Sequence, residues 1–233
     1  MALGLPVDAD QSDDVILDER DFVLSFNPKR LDPNWVAWQL DSRYLGTVRR
    51  RDDFRADESL PTSATRVTPH DYLHSGYDRG HLCPSADRTA TAEMNSLTFL
   101  MTNMVPQVHE LNAGPWERLE DHARDLVKKT GAELYIVAGP LFDESPKTIG
   151  RGVAVPRATY KVIVVLSTGQ NATHVTRDTS VLSVVIPNET HVSGHAWTEF
   201  TTTVDDVERQ SGYDFLKAIA DDVEVALEAK ASR

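Results

Sequence analysis

Three runs of apolar, β-branched residues constrain this chain more than any other feature: Glu133–Ala138, Tyr160–Ser167 and Val181–Ile186. Such residues pack well on a pleated, half-buried surface, so each run reads as a central strand. Asn34–Asp41 alternates, with Val36, Trp38 and Leu40 on one side, and reads as a half-buried strand with Arg43–Arg50 as its hairpin partner. Tyr77–Leu82 reads as a short strand, and Thr98–Thr102 as a buried one broken at Pro106-Gln107. Strands and helices interleave, but the long apolar series of a parallel βαβ sheet is missing. The expectation is an α+β fold, a central antiparallel β-sheet flanked by helices.

The helices are signalled at their ends. Asn112 is placed to cap a helix over Ala113–Thr130, with Pro115 in its first turn and Gly131 past its last. Leu119, Ala123, Leu126 and Val127 would form its core face. Ala86–Leu97 has helical composition with Ser85 as N-cap, Thr203-x-x-Asp206 starts a helix ending near Gly212, and Phe215–Leu227 is amphipathic. Ser59–Pro69 reads as a loop. Residues 1–33, acidic and punctuated by proline, are expected to wrap the surface.

Chemistry concentrates in the tetrapeptide Asp78-Arg79-Gly80-His81, followed 31 residues on by Asn112 and eight later by Glu120. Hydrolysing a phosphodiester needs a base for water, charge stabilisation at phosphorus and help for the departing 3′ oxygen. An imidazole of ordinary pKa, about 6.5, is largely neutral at pH 7, which makes His81 the base candidate. Gly80 is expected to allow a bend that aims the ring outward. Asn112 offers a hard neutral oxygen suited to Mg²⁺, an ion that keeps several waters and borrows phosphate oxygens. From a cap at Asn112, Glu120 falls about 80° round the helix at about 100° per residue. Its carboxylate could there hold water carried by the ion. Trp116 reads as packing, and Cys83 as a small buried hydrophobe.

The segments YDRGHLCPSADR, TNMVPQ and LNAGPWERLE, in this order, resemble the DNA/RNA non-specific endonucleases of the ββα-metal (His-Me finger) group, which carry a DRGH motif. Thr203–Phe215 resembles the family's closing segment, so the likeness runs from about Trp38 to Phe215. The resemblance implies one endonuclease domain over residues 1–233, an acidic extension 1–33 and a catalytic core 34–233, with a ββα-metal finger carrying the active site. It implies a sugar-non-specific endonuclease that cuts DNA and RNA with one Mg²⁺, Mn²⁺ substituting, and leaves 5′-phosphate ends. In the family an arginine followed four residues later by an aromatic touches the scissile phosphate. Arg50 with Phe54 fits that pattern, and Arg51 takes the role if the loop register shifts by one. By the same resemblance Asp78 and Arg79 orient and brace, while Asn103 and Gln107 support the motif. DNA and RNA are the expected partners, with a homodimer and a protein inhibitor left open.

Charge tests this expectation. A net charge of −12 is unusual for a protein that binds a polyanion. Residues 1–21 contribute −6 and residues 203–233 contribute −4, leaving about −2 in the middle, where Arg43, Arg49, Arg50, Arg51 and Arg55 cluster. Binding needs a local positive groove, not a positive average. The acidic ends are therefore expected to face away from it. Base specificity should be slight, because phosphate contacts carry no sequence information.

A single cysteine excludes an internal disulfide and a cysteine-rich zinc site. No apolar run reaches the roughly 18 residues of a membrane helix. The opening MALGLPVDADQSDD shows no signal-peptide pattern. Unrestrained nucleases damage their own cell, so a secreted or periplasmic protein is expected. Two other classes are weighed: a catalytically silent nucleic-acid-binding protein, and a zinc hydrolase using His70, His74 and His81. The joint presence of His81, Asn112 and Glu120 disfavours the first, and the absence of HExxH the second.

Overall fold

The computed structural model describes residues 3–230. Three strands open the fold: β1 (Val15–Asp18), β2 (Val23–Asn27) and β3 (Asp32–Leu40). A short pair follows, β4 (Asp78–His81) and β5 (Met104–Gln107), with helix α1 (Ala92–Leu97) between its strands. One helical turn, α2 (His109–Leu111), leads into the long helix α3 (Glu117–Thr130). Strand β6 (Glu133–Leu141) comes next, then a small hairpin, β7 (Thr148–Ile149) with β8 (Val153–Ala154). Strands β9 (Ala158–Leu166), β10 (Ser180–Pro187) and β11 (Thr201–Thr202) precede helices α4 (Val204–Ser211) and α5 (Asp221–Glu228).

Seven strands make one antiparallel sheet in the order β1-β2-β3-β6-β9-β10-β11. Trp38, Ile136, Ile163 and Leu182 stand in register across four of its inner strands, β3, β6, β9 and β10. Because side chains alternate along a strand, these four share one face while Trp35, Ala37, Tyr135 and Val162 share the other. Both faces are covered, so the inner strands carry mostly apolar residues on both sides and do not simply alternate. The β4–β5 pair and α3 cover the first face through Leu82, Met104, Val105, Leu119, Ala123 and Val127. Leu3, Val204, Val207, Phe215 and Leu227 cover the second. Much of the acidic N-terminal stretch and the closing helices therefore lies across the sheet from His81.

Several expectations need correction. Residues 1–33 do not merely wrap the surface, since β1 and β2 extend the sheet and bury Leu17, Phe22, Leu24 and Phe26. The apolar runs VIL and FVLSF outweigh their acidic neighbours. Arg43–Arg50 is not a hairpin partner: the Asp41 carboxylate accepts from Arg43 N–H and turns the chain, so β3 pairs with β2 and β6. Thr91, not Ser85, caps the helix, which starts only at Ala92. Thr98–Thr102 is not a strand; pairing begins at Met104 and runs through Pro106, tolerated because β5 has only one partner. The closing helix begins at Asp221, after a turn with Leu216 at φ 58°.

Helix α3 ends as its sequence implies, with Gly131 at φ 71° and its N–H bonded to Val127. Leu119 is fully buried, whereas Leu126 is only partly so. Leu119→Ala should cost about 2–5 kcal/mol and Leu126→Ala clearly less, read from urea unfolding midpoints. Equal losses would mean that α3 is rotated from the face described.

Candidate active site

Strand β4 pairs with β5 from Asp78 opposite Gln107 to His81 opposite Met104. Gly80 is not in the left-handed region, so it does not serve as a bend. It is needed for space, because a Cβ there would collide with the Gln107 side chain lying across the strand. Gln107 Nε2 in turn donates to Thr159 Oγ1 on β9 at 3.4 Å, tying the pair to the main sheet. Asn103 fixes the chain after His81, accepting from Cys83 N–H at 2.9 Å and donating to the Cys83 and Thr98 carbonyls. Asn188, buried, sets where the chain leaves β5: its amide donates to the Pro106 and Pro156 carbonyls and accepts from Val108 N–H.

Asn112 does not cap a helix. Its backbone is helical (φ −58°, ψ −52°), and it opens a wide turn, residues 112–116, between α2 and α3. Pro115 lacks an N–H and its ring crowds the carbonyl four residues back. Gly114 absorbs the break at φ −117°, ψ −122°. The 80° rotation expected from an unbroken helix therefore does not apply, yet Asn112 and Glu120 still line one cleft. Asn112 Nδ2 donates to Asp78 Oδ2 at 3.0 Å, and His109 Nδ1 meets the same oxygen at 2.9 Å. A carboxylate only accepts, so the amide nitrogen is committed and Oδ1 is left over. That spare oxygen is the group a hard cation would use, so the residues fit Mg²⁺.

His81 is not aimed outward on its own. It is 8% exposed and packs edge-on against Phe99 (centroids 5.0 Å) and beside Phe54 (5.6 Å). Burial, then the charges of Arg50 and Arg79, push its pKa down to about 3. Nε2 is buried without a hydrogen-bond partner. The two arginines use the same aromatic pair: Arg79 lies 4.0 Å from the Phe54 centroid and Arg50 lies 4.8 Å from that of Phe99. Arg50 is further aligned by Asp52 (2.6 Å) and Ser85 Oγ (3.1 Å). Asp52 itself is held at φ 53°.

Glu120 sits on the cleft's inner wall, 9% exposed. Lys161 reaches it from β9, Nζ to Oε1 3.3 Å, and is itself 1% exposed. The ammonium also faces the rings of Trp116 (4.1 Å) and Trp38 (5.5 Å). Trp116 is a buried packing residue whose Nε1 donates to the His81 carbonyl at 3.2 Å. Burial pushes the Glu120 carboxyl up to about 7 against the pull of Lys161 and Arg124, with Asp87 adding to the rise. Arg124 is clamped by Asp87 (2.8 Å) and Asp121 (2.6 Å), and Asp87 also accepts from Trp38 Nε1.

Thus His81, Arg50, Arg79, Asn112 and Glu120 share one cleft with Ser85, Glu117 and Arg124. An adjoining cleft shares Arg50, Arg79 and Asn112. Arg51 lines neither cleft. The arginine cluster is not one groove: Arg43 is bound to Asp41, and Arg55 to Asp53 and the Ser96 carbonyl. His70 and His74 do not join His81, and among the described residues no cluster of three metal-ligating side chains contains any of them. Cys83 is inert, its thiol pushed up to about 12 by burial. Lys161 was legible as a lone cation in an apolar strand, two residues from inward-facing Ile163.

Comparison with known proteins points to one family. A family model described as DNA/RNA non-specific endonuclease matches residues 5–222. A nuclease from Nostoc sp. is 44% identical over 219 residues, 94% of this chain and 79% of the relative. The mitochondrial nuclease EXOG of Danio rerio is 37% identical over 210 residues, 84% of this chain but 59% of its own length. Human mitochondrial endonuclease G is 30% identical over 211 residues, 85% and 68%. A crystal structure of an EndoG/EndoGI complex superposes with TM-score 0.79 at 31% identity, covering 94% of this chain and 91% of that one.

The Lys161–Glu120 pair gives a direct test. Lys161→Met would leave a buried carboxylate uncompensated and should cost about 3–5 kcal/mol. Adding Glu120→Gln should restore most of the loss in urea melts. Additive losses would show that the two side chains do not depend on each other.

Proposed function

The chain belongs to the DNA/RNA non-specific endonuclease family, and on that premise we propose that it hydrolyses DNA and RNA alike with one Mg²⁺, His81 acting as general base and products ending in 5′-phosphate. The observation that carries this reading is the convergence of His81, Arg50, Asn112 and Glu120 on one cleft. The Arg50 guanidinium holds the scissile phosphate, two oxygens at once, with Arg79 beside it. An anion there offsets the repulsion that both arginines exert on a protonated His81. The burial contribution remains, so the ring stays neutral at pH 7 with a nitrogen free to take the proton of attacking water.

Asp78 keeps the Asn112 amide turned so that its oxygen is available. A cation bound at that oxygen would draw charge from the phosphate and the departing 3′ oxygen. Glu120, kept ionisable by Lys161, accepts a hydrogen bond from water at the cleft's inner wall. Expulsion of the 3′ oxygen leaves phosphate on the 5′ side. The related EndoG has been solved with EndoGI in a structure about its inhibition, which supports a protein inhibitor among this chain's partners.

Digestion of plasmid and of RNA tests the mechanism. His81→Ala, with His81→Gln to keep the site filled, should lose about 10²–10⁴-fold in turnover on both substrates, and EDTA should abolish cleavage. A folded His81 variant with normal turnover, or full activity in EDTA, would remove this reading.

Arg50→Ala should lower kcat on every sequence, because it contacts backbone and not bases. Arg51→Ala should weaken affinity and salt dependence and leave kcat nearly unchanged. The reverse ranking would move the phosphate clamp to Arg51.

A further inference from the structure

Across the sheet from His81, a second group of carboxylates gathers between α4 and α5. One oxygen each from Asp205, Glu208 and Glu228 lies within 4.8 Å of the others, and Asp214 and Glu224 form a second such triad with Glu228. Nearby acids outside the first triad are compensated, Asp214 and Glu224 by Lys217 at 2.7 and 3.9 Å and Asp206 by Arg209. Asp205, Glu208 and Glu228 have no ion-pair partner among the described residues. Glu228 is only 7% exposed, and its Oε1 is buried without a hydrogen-bond partner. Glu208 is aligned by the Phe215 N–H, which donates to it at 2.8 Å. Burial, then Glu208 and the surrounding acids, pushes Glu228 up to about 8.

We propose that Asp205, Glu208 and Glu228 form a site for a hard divalent cation, Ca²⁺ in preference to Mg²⁺, that fastens α5 to α4. Three oxygens within 4.8 Å of one another leave room for one ion at about 2.8 Å or less from each, a range that includes the roughly 2.3–2.6 Å of Ca²⁺. Ca²⁺ also accepts irregular geometry and six to eight oxygens, so water and the Asp214–Glu224 side can complete the shell. The ion would neutralise three crowded carboxylates. Because α4 and α5 pack through Val207 and Leu227 on the face away from the cleft, the site acts on stability and not on turnover.

Thermal unfolding of the full chain, stripped with EDTA and then given CaCl₂ alone, reads this out. Saturating Ca²⁺ should raise the midpoint by about 5 °C or more, by mass action on the folded state. The rise should persist in Asn112→Ala, which disables the cleft's cation ligand, and vanish in Glu228→Gln and Asp205→Asn. Glu228→Gln should fold as well as wild type in EDTA, since it mimics the protonated side chain that burial and the neighbouring acids favour, so loss of the response cannot reflect misfolding. No Ca²⁺ response in wild type would overturn the proposal and leave Glu208 and Glu228 sharing a proton. A response that survives Glu228→Gln, or disappears in Asn112→Ala, would also overturn it.

Discussion

A lysine in a central strand cannot remain unpaired, because an isolated buried ammonium costs far more than the packing around it can offset. Lys161 resolves this with one carboxylate and two indole faces, and much of the cleft follows from that solution. Glu120 must come within reach, which fixes the rotation of α3. Trp116 must lie over the ammonium, which places its N–H on the His81 carbonyl. The histidine is thus positioned through its backbone from the sheet, and through its ring by Phe54 and Phe99. Few of these groups are exposed, so the geometry is set by packing before any substrate arrives.

Much of the architecture was legible because its signals are local. The runs around Ile136, Ile163 and Val184 became inner strands, and Gly131 ended its helix. The motif from Asp78 to His81 lay on a strand as expected, since a short extended run beside a second such run leaves little alternative. Legibility failed where a distant partner decided the outcome. Asn112 carried every mark of a helix cap, yet Asp78 claims its amide and the Gly114-Pro115 break delays the long helix to Glu117. The acidic N-terminal segment looked like a surface strap, but Leu24 and Phe26 found an open sheet edge. Lys161 stood out only as a lone cation inside an apolar run, and its role became visible only with Glu120 opposite.

The cleft also explains how a chain of net charge −12 can engage a polyanion. Arg50 and Arg79 are held over aromatic rings, which helps to order them and suits the weakly hydrated guanidinium. Their nearness depresses His81, so before substrate binds the cleft disfavours the protonated ring that could not act as a base. Asp52, in the left-handed region, aligns Arg50 from outside the cleft and stores modest backbone strain at the point where it is useful.

Asn188 joins three separate stretches of chain through one amide, and it also heads the sequon Asn188-Glu-Thr. An N-linked glycan is attached to that same amide nitrogen, which here donates to two carbonyls in a buried setting. In a eukaryotic secretory host, modification during synthesis would precede folding and would bar the strand exit from closing. Asn188 is therefore an argument for producing this enzyme in a host that does not glycosylate, whereas exposed Asn171 imposes no such restriction.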